Sequence, residues 1–310
     1  MTIRNSWEPE RYEFHPYLQD SIEALPDELR EMAHRVLPIG EQVLSIFVVP
    51  LNPYLARTKK QRIEPAQALV FTSNGVLHIQ ASTAPGQAPR STFLRTDDLL
   101  YVHLSLILLY GRLEMAGQVN GQLETIEVFY NSSGHRLLEP ALQQFLRISW
   151  ENTDRLSTDL QAEEKARQNL EGLPVKYCNG LKIYALQPVE HLLGVIFQPP
   201  IRESLWMGFS RQIASPALLA LTDRQIIILR EEKTDESNSY GWVFTFLPIE
   251  TIDTMDVMPF RKHQQLIFHL SRNGGQSQLV FPLTQLKAQD WQVLWGRYGR
   301  NASLEKNGRH

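Results

Sequence analysis

Leu113–Tyr130 reads LEMAGQVNGQLETIEVFY, and Leu266–Phe281 reads LIFHLSRNGGQSQLVF. In each stretch two β-prone runs flank an Asn-Gly pair, Asn120-Gly121 and Asn273-Gly274, 153 positions apart. Asn-Gly accepts the positive φ angles that two-residue hairpin turns demand, so both stretches are expected to be β-hairpins. The shared spacing says more than either hairpin alone, because it points to an internal repeat.

Working outward, the same displacement carries Thr92-Phe93-Leu94 onto Thr245-Phe246-Leu247 and Leu99 onto Ile252. It also carries Met115 onto Phe268, and Ile126 and Val128 onto Leu279 and Phe281. Upstream, Pro65-Ala66 and Leu69-Val70-Phe71-Thr72 find counterparts in Pro216-Ala217 and Leu219-Ala220-Leu221-Thr222, 151 and 150 positions on. Leu37–Leu44 resembles Leu186–Leu193 at a displacement of 149. A drift of this size is what loop-length changes between two copies of one unit would leave. Two diverged copies are therefore expected.

Within each copy, short apolar runs alternate with turn residues, which is the pattern of strands. Gln42–Leu51 ends at Asn52-Pro53, and Ala68–Thr72 is followed by Ser73-Asn74-Gly75 and then Val76–Gln80, a second tight hairpin. Leu99–Tyr110 fits a buried helix or a strand by periodicity. Its counterpart Ile252–Pro259 alternates apolar and polar residues and meets a proline, so both are expected to be strands. Each copy closes with an amphipathic helix. The first carries Leu137, Leu138, Ala141, Leu142, Phe145, Leu146 and Ile148, and the second Leu286, Trp291, Leu294, Trp295 and Tyr298, with Thr284 as its N-cap. Asp154–Glu171 is a polar helix joining the copies, with Glu163 and Arg167 four apart and paired on its outer face. Pro26 opens a further helix over Asp27–Val36, with Leu29, Met32 and Val36 on one side.

The expected organisation is a partly helical segment 1–36, a first β unit 37–149, a helical linker and connector 150–185, a second β unit 186–300 and a flexible tail 301–310. The 310 residues suit about two domains. With 43% hydrophobic and 21% charged residues, the chain can bury real cores. A net charge of −3 argues against nucleic acid as a partner. One cysteine excludes an internal disulfide framework, and no Cys/His spacing resembles a zinc site. The longest apolar run, Leu99–Tyr110, is too short for a membrane-spanning helix, and the first residues lack the apolar core of a signal peptide. A cytoplasmic protein without a transmembrane segment is the expectation.

The order of elements resembles that of pleckstrin-homology-like (PH-like) domains, particularly the bacterial and GRAM-type branch. The residues that carry the resemblance are Gly40–Leu44, Ala68–Thr72, Leu219–Ile227 and Phe246–Ile252. It covers about 250 residues in two stretches and implies a mainly β fold with helices. Each copy would then be a bent antiparallel sheet of about seven strands, closed by its C-terminal amphipathic helix. The resemblance implies no catalysis and no cofactor. Such domains bind lipid headgroups, peptides or other proteins.

The residues themselves agree with a non-catalytic reading. There is no phosphate-binding glycine loop, dinucleotide fingerprint or HExxH helix. Gly208–Gln212 starts like a nucleophile elbow around Ser210 but lacks its second glycine. Cys178 reads as a structural thiol, and His78, His103 and His269, within apolar strand runs, as hydrogen-bonded sheet histidines. The adjacent carboxylates Glu163-Glu164, Glu231-Glu232 and Asp235-Glu236 read as solvated charge in helix or loop. No catalytic or metal-ligating residue is assigned. The candidate ligand-binding residues are Arg57, Lys59, Lys60 and Arg62, in the loop between the first two strands of the first copy. In PH-like domains that loop supplies cations for phosphorylated headgroups, and lysine and arginine suit phosphate oxygens. The plainer alternative is a solvated loop. The equivalent stretch of the second copy, Pro200–Ser215, spreads Arg202 and Arg211 around Leu205, Trp206, Met207 and Phe209. The sequence thus favours a binding or scaffolding module for a protein partner. Peripheral binding to anionic lipid through 57–62 is the alternative, and an enzyme of unrecognised type ranks third.

Overall fold

The computed structural model describes residues 15–51, 65–82, 87–107, 110–150, 156–158, 160–204, 210–233 and 240–298. The fold is mainly β, with several antiparallel sheets and five helices among these residues. The first half runs β1 (Tyr17–Gln19), α1 (Asp27–Val36), β2 (Val43–Val49), β3 (Gln67–Thr72), β4 (Gly75–Gln80), β5 (Arg90–Arg95), β6 (Leu99–Ile107), β7 (Tyr110–Val119), β8 (Gln122–Asn131) and α2 (His135–Ser149). After α3 (Leu160–Glu171) and α4 (Val175–Asn179), the second half runs β9 (Leu192–Gln198), β10 (Ile201–Ser204), β11 (Ser210–Ala214), β12 (Ala217–Thr222), β13 (Gln225–Lys233), β14 (Tyr240–Pro248), β15 (Ile252–Phe260), β16 (His263–Arg272), β17 (Gly275–Leu283) and α5 (Gln285–Tyr298).

Apart from the β10–β11 hairpin, β9–α5 repeats the element order of β2–α2. The correspondence reaches individual bonds. In the turn after β3, Thr72 Oγ1 accepts from Gly75 N at 3.0 Å and donates to Gly75 O at 3.0 Å. In the turn after β12, Thr222 Oγ1 accepts from Gln225 N at 2.9 Å and donates to Gln225 O at 3.1 Å. The two Asn-Gly pairs are the predicted tight turns, with φ of 52° and 77° at Asn120-Gly121 and 48° and 80° at Asn273-Gly274. A one-turn helix precedes both β6 (Thr96–Asp98) and β15 (Ile249–Thr251).

The chain gathers into two compact units, each drawing on more than one stretch of sequence. One comprises the described residues of Met1–Asp97, Leu106–Glu114 and Ile126–Glu151. Its sheet has the order β1-β2-β3-β4-β5, and its central strand β3 is buried on both faces. Alternation along the strands sends Ile46, Val48, Val70, Leu77 and Ile79 to one face, where Leu29, Met32 and Ala33 of α1 cover them. On α2, Phe145 meets the Phe71 ring at 5.6 Å, and Phe47 meets the Tyr130 ring edge-on at 5.5 Å. The N-terminal helix thus covers part of this unit's core, which its sequence did not indicate.

The other unit comprises Asp98–Ser105, Met115–Thr125 and the described residues from 156 onward. It holds β9, β12, β13 and β14 of the sheet β8-β7-β6-β14-β13-β12-β9, with the parts of β6, β7 and β8 that fall in Asp98–Ser105 and Met115–Thr125, as well as the three-stranded sheet β15-β16-β17 and the β10–β11 ribbon. Leu219, Leu221, Ile226 and Ile228 pack in one core with Leu266, Phe268 and Leu270 and with Ala288, Trp291 and Tyr298 of α5. Two details depart from the sequence reading. Pro200–Ser215, read as a loop, contains β10 and β11, with Glu203 opposite Arg211 and Arg202 opposite Gln212. Leu286, placed on the buried stripe of α5, is 63% exposed, because that stripe is carried by Ala288, Trp291 and Tyr298.

Candidate functional site

A groove of about 810 Å³ lies in the second unit, bounded by α3, β9 and α5. Each wall follows from its sequence. In α3, Ala162, Ala166 and Leu170 recur at four-residue spacing and are buried. Arg167 pairs with Glu163 at 2.6 Å, as the spacing predicts. Strand β9 is the last strand of the seven-stranded sheet and bonds only to β12 among the described strands. Helix α5 starts where predicted, with Lys287 N donating to Thr284 Oγ1 at 3.4 Å. Thr284 N in turn donates to Gln198 Oε1 at 2.7 Å, which ties the helix start to the end of β9.

Gly194 sets how closely α5 approaches β9. A Cβ there would lie 2.5 Å from Leu294 Cδ1 and 3.2 Å from its Cγ. Gly194→Val is expected to displace Leu294 and cost about 1–3 kcal/mol of stability, the usual range for overpacking. Chemical denaturation of the variant checks it.

The groove floor is the consecutive run Leu193–Phe197. Val293, 74% exposed, and Leu294 supply apolar surface on α5. The charged lining is three cations, Lys165, Lys287 and Arg297, against one carboxylate, Asp290. Asp290 already pairs with Lys287 at 2.9 Å. The groove therefore combines an apolar floor, a strand edge and a positive rim.

One end of β9 is held by a polar cluster. His191 Nδ1 lies 2.7 Å from Glu163 Oε2, and His191 N donates to Asp223 Oδ1 at 2.9 Å. Hydrogen bonds from His191 and Arg167 hold the Glu163 carboxyl below the usual carboxylate range. The adjacent Glu190 is 3% exposed and accepts from Gln187 N at 3.1 Å and Gln225 Nε2 at 2.7 Å. Burial outweighs those bonds and pushes its carboxyl up to about 7. Farther along, the Tyr177 ring contacts Phe197 at 4.9 Å and Trp242 at 5.2 Å.

A second concavity of about 520 Å³ lies among β11, β12, β13 and β17. Arg230 lines it, and the buried Arg230 Nε has no hydrogen-bond partner among the described residues. This cavity is smaller than the groove and is bordered by two edge strands, β11 and β17.

The basic residues singled out from the sequence, Arg57, Lys59, Lys60 and Arg62, lie outside the described residues, as do Leu205, Trp206, Met207, Phe209, Asp235-Glu236 and the tail 301–310. The histidines are hydrogen-bonded sheet residues, as expected. His78 bonds Gln67 at 2.9 Å, His103 bonds Thr245 at 2.8 Å, and His269 bonds Asp256 at 3.0 Å. Glu231 is not the solvated helix or loop carboxylate the sequence suggested. It lies on β13, accepts from Tyr177 Oη at 2.7 Å and pairs with Lys176. Lys165, Lys287, Arg297 and Arg230 were missed, since no local motif marks cations that only the fold brings together. Among the described residues no three His, Cys, Asp or Glu side chains gather as metal ligands, and no helix is long and apolar enough to cross a membrane. No family model and no curated protein sequence matches this chain.

Proposed function

We propose that the chain is a non-catalytic binding and scaffolding protein of PH-like type, and that the α3–β9–α5 groove takes an extended, acidic segment of a protein partner. What supports the PH-like reading is that β2–β8 with α2, and β9–β17 without the β10–β11 hairpin and with α5, each run through seven strands to one closing helix in the same order. The observation that carries the binding site is β9, a terminal strand with no strand partner on its outer side among the described residues, at the floor of a positively rimmed groove. An extended peptide adds to such an edge through main-chain hydrogen bonds, while side-chain pockets and rim charges select its sequence. Apolar residues would alternate with Asp or Glu that meet Lys165 and Arg297.

The test uses the full chain and an array of extended peptides that alternate apolar and acidic residues. Binders are expected, and Lys165→Glu with Arg297→Glu should weaken them about tenfold or more. Charge reversal at exposed Arg35, outside the groove, should leave binding unchanged. An array without binders, or binders indifferent to the groove reversal, would contradict the assignment.

The other reading, anionic headgroups at Arg57, Lys59, Lys60 and Arg62, rests on the run of cations in the sequence. Each basic group near an anionic surface adds about 1 kcal/mol. It predicts flotation with phosphatidylserine vesicles that salt abolishes, and equal flotation with neutral vesicles would remove it.

A further inference from the structure

The repeat has a consequence beyond the groove. By the same 153-residue displacement, β6 corresponds to β15, and the Thr92-Phe93-Leu94 strand β5 corresponds to the Thr245-Phe246-Leu247 strand β14. In the second unit β6 and β14 are hydrogen-bonded neighbours, so a strand of the first copy extends a sheet of the second. Two contacts give the direction of this seam. Thr245 Oγ1 on β14 meets His103 Nδ1 at 2.8 Å, and Thr251 Oγ1, in the one-turn helix just past β14, donates to Pro248 O at 2.8 Å and lies 3.2 Å from Leu100 O. Moving forward from Thr245 to Thr251 moves backward from His103 to Leu100, so the strands are antiparallel.

The counterparts of these two strands are sheet edges. β5 ends the order β1-β2-β3-β4-β5, and β15 begins the order β15-β16-β17. Neither outer edge has a strand partner among the described residues. We propose that β15 of one molecule pairs with β5 of a second copy of this chain, repeating the β6–β14 seam between molecules. Displacing the Thr245–His103 pairing by one repeat sets Thr92 opposite Asp256, brings Arg95 to the Asp253 end of β15, and sets Arg90 opposite Met258. Arg90, Arg95, Asp253 and Asp256 are all exposed, and the cations lie on one strand and the carboxylates on the other. Met258 and Phe260 are 52% and 41% exposed on β15 and would be covered. Pro259, which has no N–H to donate, falls opposite Pro89, one residue outside β5, so it does not interrupt the pairing.

The charges also explain why β15 does not pair indiscriminately. Carboxylates on an edge repel other edges of like charge. Where β15 carries Asp253 and Asp256, β6 carries Leu100 and His103, which suit a seam that is never open. Because the two surfaces differ, the contact is head-to-tail and builds a ring or an open filament rather than a two-fold dimer.

Sedimentation velocity of the full chain over a concentration series tests this. The wild-type chain is expected to associate as concentration rises. Asp253→Arg and Arg95→Asp should each weaken association about tenfold or more by opposing like charges. The double variant Asp253→Arg/Arg95→Asp should restore it. So should an equimolar mixture of the two single variants, since each then offers the other a complementary edge. Circular dichroism of the single variants confirms that they are folded. A wild-type chain that stays monomeric at every concentration, assembly indifferent to both reversals, or a double variant and mixture that stay monomeric would each overturn the proposal.

Discussion

Trp291→Ala should lower the stability of the second unit by about 3–5 kcal/mol, the range for removing a large buried aromatic side chain. Trp291 is fully buried in α5. Its ring stands edge-on to Phe268 at 6.2 Å, and Phe268 in turn meets Phe281 at 6.0 Å. Its indole N–H points to Met255 Sδ at 3.0 Å, so the one side chain ties α5 to β15, β16 and β17. Alanine removes the packing of the helix and leaves a cavity that the surrounding strands close only in part. Because the protein has two compact units, a single melting temperature would blur the effect. Hydrogen exchange resolved by peptide should show faster exchange in α5 and β15–β17, while β2–β5 of the first unit change little. Trp291→Phe keeps part of the ring contact and should cost less.

The second large effect is a pH dependence that one carboxyl supplies. Glu190 has its carboxyl raised from 4.5 to about 7, chiefly by burial. The folded state therefore holds a proton that the unfolded state releases. The stability Glu190 contributes is fully present below about pH 4.5, falls as pH rises toward 7, and levels off above it. A shift of this size is worth about 3 kcal/mol at alkaline pH. Glu190→Gln removes the titration without removing the packing. The new amide oxygen accepts from Gln187 N, and its NH2 donates to Gln225 Oε1 once that amide turns over, which puts Gln225 Nε2 where the unpartnered oxygen now sits. The variant is expected to be about 3 kcal/mol more stable than wild type at pH 8 and to lose the pH 4.5–7 slope. Denaturant unfolding at several pH values measures both, and an unchanged slope would place the titration elsewhere.

What the sequence made legible is what local chemistry determines. Asn120-Gly121 and Asn273-Gly274 needed positive φ, and both adopt it. Thr284 caps α5, and Glu163 pairs with Arg167, because those interactions span three or four residues. Of Leu99–Tyr110, Leu99–Ile107 is the expected strand while Tyr110 opens β7, and the strand assignment comes from the counterpart Ile252–Pro259, which alternates more clearly. The long-range joins were not legible. Nothing in Asp27–Val36 says that α1 covers the second face of the first sheet, and nothing in Leu99–Ile107 says that β6 lies beside β14. The groove cations escaped for the same reason. Lys165, Lys287 and Arg297 are distant in sequence, and only the fold brings their helices to opposite sides of β9.

The account rests most heavily on β9 as a strand edge that receives a partner. Amide hydrogen exchange of the full chain, with and without the tightest peptide from the array, reads that edge directly. The account predicts slower exchange confined to Leu192–Gln198 and the facing turns of α3 and α5. Protection that falls on other segments, or none at β9 when the groove is saturated, would contradict it.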